Sequence, residues 1–221
     1  MKSLFELYLS KNISWRYLSS NPNALSLLEQ NMDKIDWTSL SENPNALSVS
    51  LLERNMDKID WTSLSANPNA LPLLERNMDK IDWTNLSRNP NALSLLEQNM
   101  DKIDWTNLSA NPNALSLLAQ NMDKIDWYML CTNPNALPLL EKNIDKINWL
   151  YLSYNTNPKI IKLLEKNIDK IDWNALSSNS NAWYLLENNI DKIDWNNIMI
   201  NENINSVYLF EKNIDKIKYN I

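Results

Sequence analysis

One unit of 22 residues, Asn89-Pro90-Asn91-Ala92-Leu93-Ser94-Leu95-Leu96-Glu97-Gln98-Asn99-Met100-Asp101-Lys102-Ile103-Asp104-Trp105-Thr106-Asn107-Leu108-Ser109-Ala110, recurs in near copies head to tail from Asn21 to the C-terminus. Read along the chain, the copies begin at Asn21, Asn43, Asn67, Asn89, Asn111, Asn133, Asn157, Asn179 and Asn203, with occasional two-residue insertions. Periods of this length belong to solenoids and arrays, in which a unit buries its apolar face only against its neighbours. The repeat therefore replaces the one or two globular domains that 221 residues would otherwise suggest. It divides the chain into an N-terminal capping unit, 1–20, eight tandem repeats, 21–202, and a truncated C-terminal capping repeat, 203–221. The cap is a degraded unit: Ile13-Ser14-Trp15-Arg16-Tyr17-Leu18-Ser19 aligns with Ile35-Asp36-Trp37-Thr38-Ser39-Leu40-Ser41, and the residues before it do not match.

Each unit holds two short apolar clusters separated by polar turns. Ala24, Leu25 and Leu28 stand at helical spacing, and so do Trp37 and Leu40. Both clusters are too short to persist as helices alone, so neighbouring units must hold them. The sixteenth position of the unit reads Ser14, Asp36, Asp60, Asp82, Asp104, Asp126, Asn148, Asp172, Asp194 and finally Lys218. Ser, Asp and Asn are the residues whose short acceptors satisfy the free amides of a first helical turn, so a helix starts at the tryptophan that follows. Pro72 and Pro138 would break a helix begun at the first asparagine. Asn-Pro-Asn-Ala is thus a turn with proline at its second corner, and the first helix starts near Ala24. With no glycine in the chain, Asn31, Asn55, Asn77, Asn99, Asn121, Asn143, Asn167, Asn189 and Asn213 are the expected left-handed residues that close that helix.

Leu-Ser-x-Asn-Pro-Asn followed by Leu-Leu-Glu and an Asp-rich turn resembles the leucine-rich variant repeat. Asn-Pro-Asn-Ala and Asp-Lys-Ile-Asp-Trp are also similar to short tandem-repeat proteins of giant DNA viruses. The resemblance covers residues 13–221 and implies an all-α solenoid of short helix pairs, wound as a right-handed superhelix. Two departures stand out: the period here is 22 rather than the family's 24, and the family's iron–sulfur cysteines have no counterpart. The rival is a conventional leucine-rich repeat with one strand per unit; its frame needs apolar residues where Ser26 and its equivalents are serine or proline in most copies.

Composition limits the function classes. A net charge of −6 argues against a phosphate-tracking surface, and no run of eighteen apolar residues offers a membrane span. A single cysteine, Cys131, cannot build a disulfide framework, which points to an intracellular compartment, the host cytoplasm or a virion if the protein is viral. Without glycine or histidine, phosphate-cradling loops and imidazole chemistry are excluded. Nine identical Asp-Lys pairs, from Asp33-Lys34 to Asp215-Lys216, are not how an active centre is built. They read as turn-ordering aspartates balanced by a lysine of the adjacent unit. Cys131 reads as a packing position. Nine of the ten tryptophans keep the repeat register, which predicts a core role, and Trp183 reads as an enlarged core residue. No catalytic, cofactor or metal site emerges.

The informative variation is local. The eighteenth and nineteenth positions carry Thr38-Ser39, Thr62-Ser63, Thr84-Asn85 and Thr106-Asn107, but then Tyr128-Met129 and Leu150-Tyr151, with Tyr154 close behind. Pointing outward from adjacent helices, Tyr128, Met129, Leu150, Tyr151 and Tyr154 would merge into one aromatic patch, unless an insertion at Tyr154-Asn155-Thr156 folds over it. The expected function is a non-enzymatic scaffold for a protein partner, as a monomer; the alternative is a self-assembling structural component. Tyr184 and Tyr208, aromatic where earlier copies carry serine or proline, form the next candidate surface.

Overall fold

The computed structural model describes residues 13–214, and the elements assigned among them are short helices and turns with no strand. The fold is an all-α solenoid of helix pairs, and the strand-per-unit rival falls with it. The described residues form two compact units, one ending at Asn107 and one starting at Leu108. In the first unit, tryptophan helices Trp15–Ser20, Trp37–Glu42, Trp61–Ala66 and Trp83–Arg88 pack each on the next. Leucine helices Leu25–Glu29, Ala46–Glu53, Leu71–Glu75 and Leu93–Glu97 alternate with them along the chain. In the second unit Trp127–Thr132, Trp149–Tyr154, Trp173–Ser177 and Trp195–Ile198 stack in the same way. Their leucine partners include Leu137–Leu140, Ile160–Glu165, Trp183–Glu187 and a final helix, Ile204–Lys212. Single 3₁₀ turns such as Met32–Lys34 and Ile144–Lys146 join leucine helix to tryptophan helix.

Local chemistry explains each boundary. The Asn-Pro-Asn-Ala turn closes through the Ala70 N–H on the Asn67 carbonyl, 3.1 Å, and Pro72 falls in the tolerant first turn of its helix. Every tryptophan helix from Trp37 to Trp195 follows an Asp or Asn; Asp36, for example, accepts from the Ser39 N–H at 2.9 Å and Asp172 from the Ala175 N–H at 2.9 Å. Ser14 has the cap backbone, φ −80° and ψ 101°, but its hydroxyl makes no cap bond. Lys218 lies outside the described residues.

The asparagines that end the leucine helices are not left-handed. Asn31 has φ −137° and ψ 51°, and no described residue has positive φ. Its carboxamide instead donates to the Leu27 carbonyl at 2.9 Å while its own N–H reaches the Leu28 carbonyl, 2.9 Å. Side chain and backbone together satisfy the last carbonyls without the cost of a left-handed residue, so the helices end without glycine. The equivalent side-chain bond recurs from Asn55 to Leu51, from Asn143 to Leu139 and from Asn189 to Leu185.

The core is aliphatic. Leu28, Leu40, Leu52, Leu64, Leu74 and Leu86 are fully buried in the first unit, and Leu118, Leu130, Leu140 and Leu152 in the second. Each contributes about 1.5–3 kcal/mol. The in-register tryptophans are only half-buried, which corrects their assignment to the core. Tryptophan opens its helix directly after the cap, where leucine three residues on and isoleucine two before already fill the interior, so the indole lies along the core's edge. In several copies a lysine covers its outer face: Lys102 sits 4.6 Å from the Trp83 ring, Lys146 4.8 Å from Trp127 and Lys192 5.0 Å from Trp173. The lysine therefore reaches the preceding copy's indole. Where an Asp-Lys ion pair forms it is between sequence neighbours, Lys34 and Asp33 at 3.2 Å, exposed and of little energetic weight, not between adjacent units. Trp183 is likewise half-buried and packs edge-on to Tyr208, ring centroids 6.4 Å apart, rather than entering the core.

Between copies runs a ladder of buried asparagines. Asn67 donates through Nδ2 to the carbonyls of Ser41 and Asn43, both at 2.9 Å, and Asn89 to those of Ser65, 3.1 Å, and Asn67, 2.9 Å. In the second unit Asn179 reaches Ser153 and Asn155, both at 2.9 Å. The Oδ1 of each holds the turn, as Asn67 does by accepting from the Asn69 N–H at 3.0 Å. A serine ladder runs beside it: Ser65 Oγ donates to the Trp61 carbonyl, 2.7 Å, and accepts from the Asp82 N–H, 3.0 Å. No buried side-chain nitrogen or oxygen among the described residues lacks a partner. The ladder also corrects the repeat register. Asn155 and Asn201, not Asn157 and Asn203, hold the ladder position, since Asn155 donates to the Cys131 carbonyl at 2.7 Å and Asn201 to that of Ser177 at 2.8 Å. The two extra residues of that longer copy therefore lie between Asn155 and the helix Ile160–Glu165.

Candidate interaction surface

Two hydrogen bonds show how the outer positions of successive tryptophan helices meet. Thr38, at the eighteenth position, donates to Asp60, the capping residue of the next copy, at 3.1 Å. Ser63, at the nineteenth, donates back to Glu42 at the end of the preceding helix, 3.2 Å. The eighteenth position thus leans forward over the next cap and the nineteenth leans backward.

The same geometry operates at Tyr128 and Tyr151, now with rings in place of hydroxyls. Their centroids are 6.0 Å apart and their planes at 88°, an edge-to-face pair. Tyr128 is 59% exposed, Leu150 42%, Tyr151 40% and Tyr154 51%; Met129 is half-buried beside them. All five predicted residues lie on two stacked helices, Trp127–Thr132 and Trp149–Tyr154. The insertion, which could have folded over the patch, leaves Tyr128, Leu150, Tyr151 and Tyr154 exposed. Tyr154 ends its helix exposed, and Asn155 turns inward at once to the ladder.

Two further departures from the repeat sit beneath the patch and were not singled out as part of it from sequence. Asn148, the only neutral residue among the eight sixteenth positions from Asp36 to Asp194, caps the helix carrying Leu150 and Tyr151, with its Oδ1 3.1 Å from the Tyr151 nitrogen. Cys131 replaces the ladder serine, is fully buried, and takes the backbone N–H of Asn148 on its sulfur. Burial pushes its thiol up to about 11, against the lowering effect of that N–H, with the Asp126 carboxylate adding to the rise. The signal for both was available: they fall in the same two copies as the aromatic residues.

A second exposed aromatic group lies on the leucine helices of the second unit, where Tyr184 is exposed and Lys212 sits 5.6 Å from the ring of Tyr208. Among the described residues no helix is long and apolar enough to cross a membrane, and no group of three or more His, Cys, Asp or Glu could hold a metal ion.

No family model, curated protein or solved structure matches the chain.

Proposed function

We propose that the chain is a non-enzymatic scaffold that binds a protein partner through Tyr128, Met129, Leu150, Tyr151 and Tyr154. One observation carries this reading. The exposed eighteenth positions at Thr38, Thr62, Thr84, Asn174 and Asn196 are polar, and at Tyr128 and Leu150 they give way to large apolar side chains that stay in solvent. Clustered exposed tyrosines with a methionine beside them are the composition of interface cores rather than of ordinary surface. The acidic net charge favours a protein over a nucleic acid, and an intracellular setting accords with the lone buried cysteine.

The test replaces Tyr128 with threonine and Tyr151 with asparagine, the residues of the copy before. Stability stays within about 1 kcal/mol, as for surface substitutions. Capture of a partner from native lysate falls by more than about 1 kcal/mol if the rings are anchors. Unfolding of the double variant would place the rings in the core. Unchanged stability and unchanged capture would shift attention to Tyr184 and Tyr208. A second reading, end-to-end self-assembly, is favoured by Met199, Ile200, Ile204 and Val207, which remain exposed near the last described helix. Sedimentation across a concentration series separates the two readings.

A further inference from the structure

A surface that becomes buried in a complex must not strand a charge. An ionised carboxylate left without a partner in a desolvated interface costs several kcal/mol, whereas a neutral amide with its hydrogen bonds made costs little. Where the contact is seen, a carboxylate stands at the foot of the outward-facing side chain, as Asp60 does for Thr38, and aspartate is the usual residue at that capping position. By the same register, the capping residue at the foot of Tyr128 is Asn148. Asparagine caps a helix as well as aspartate does, and Asn148 keeps the bond to the Tyr151 N–H. The exchange preserves the helix start and removes one negative charge, at the junction where Tyr128 and Tyr151 meet edge to face. Aspartate remains at 126 and 172, the capping positions on either side of this junction.

We infer that Asn148 is the neutral floor of the patch, and that the occupant is an uncharged, apolar peptide segment of a partner protein. This rests on the patch reading above. A cationic segment would be served better by the aspartate that seven other copies carry at this position. Loss of the carboxylate is favourable only for an occupant that brings no positive charge to it.

The experiment pans a phage-displayed random dodecapeptide library on the full chain, then measures the affinity of the selected peptides for the chain and its variants. Peptides rich in Leu, Met, Phe or Trp and poor in Lys and Arg are expected. Their affinity should fall at least about tenfold with Asn148→Asp, which returns a charge to a surface that binding desolvates, and should be retained with Asn148→Ser, a neutral cap. Thermal midpoints of both variants should match the parent, since Asp caps the equivalent helix in other copies and Ser ranks with Asn and Asp as an N-cap residue. Selection of basic peptides that bind Asn148→Asp more tightly overturns the inference. Peptides that need Tyr128 and Tyr151 but are indifferent to Asn148→Asp also overturn it, while leaving the patch reading in place. Peptides indifferent to both tyrosines remove the patch itself. Association of the chain with itself that Asn148→Asp abolishes would make the occupant a second copy and overturn the choice of a foreign peptide.

Discussion

Cys131 replaces a serine that, elsewhere, gives one hydrogen bond and takes another, as Ser65 does between the Trp61 carbonyl and the Asp82 N–H. The thiol accepts the N–H of Asn148 and is sealed from solvent, and burial holds it protonated up to about 11 against an ordinary 9.0. The sign of the linkage follows. The folded state binds this proton more tightly than the unfolded state, so its contribution to stability is whole below about pH 9 and is lost as pH rises toward about 11. The loss is at most about 2–3 kcal/mol. Chemical denaturation at a series of pH values should show a steeper alkaline fall for the parent than for Cys131→Ser. Parallel curves for the two would mean that the thiol is not desolvated as described.

At the scale of the element, a tryptophan helix of about six residues has no independent stability, and the ladder asparagine is what ties each to the last. Asn133 donates to the Ser109 and Asn111 carbonyls, at 3.1 and 2.7 Å, and holds its own turn by accepting from the Asn135 N–H at 2.9 Å. Asn133→Ala removes all three bonds, two of them to buried carbonyls of other copies, although the Asn111 carbonyl keeps the Ala114 N–H at 3.2 Å. The expected cost is on the order of 2–4 kcal/mol, read from the midpoint of urea unfolding. A cost under about 0.5 kcal/mol, the size of a surface change, would show that water replaces the side chain there. Much of this element was legible beforehand: aspartate caps, Pro72 in a first turn and outward tyrosines all follow from residue type and local spacing. The ladder was not. A period says that Asn67 recurs, but its partners are Ser41 and Asn43 in another copy, and local spacing carries no information about which neighbour's carbonyls a side chain meets. For the same reason Lys102 looked like a partner for aspartate when its neighbour across the copy is Trp83. The register at Asn155 was misread because Asn155-Thr156-Asn157-Pro158 offers two asparagines, and only burial tells which one turns inward.

For the molecule as a whole, junctions that repeat the same kinds of bond make regular copies close to interchangeable. Stability in such arrays is close to a sum over units and the interfaces between neighbours. Deleting residues 67–88 removes one complete copy and joins Ala66 to Asn89, which then takes the place of Asn67 opposite the Ser41 and Asn43 carbonyls. That variant should keep a single cooperative transition and the parent's helical signal per residue, by circular dichroism and calorimetry. Deleting only 67–77 leaves a tryptophan helix without its leucine helix and should unfold the region. Equal damage from the two deletions would mean that the junctions are not equivalent.

The asparagine ladder has a mechanical side. Within each compact unit, neighbouring copies are joined by the same few buried bonds, so tension applied along the chain meets a series of clasps of similar strength. Each clasp that opens releases one copy of 22 residues, about 70 Å of extended chain, before the next takes the load. A protein held in this way lengthens in steps and absorbs work at every step.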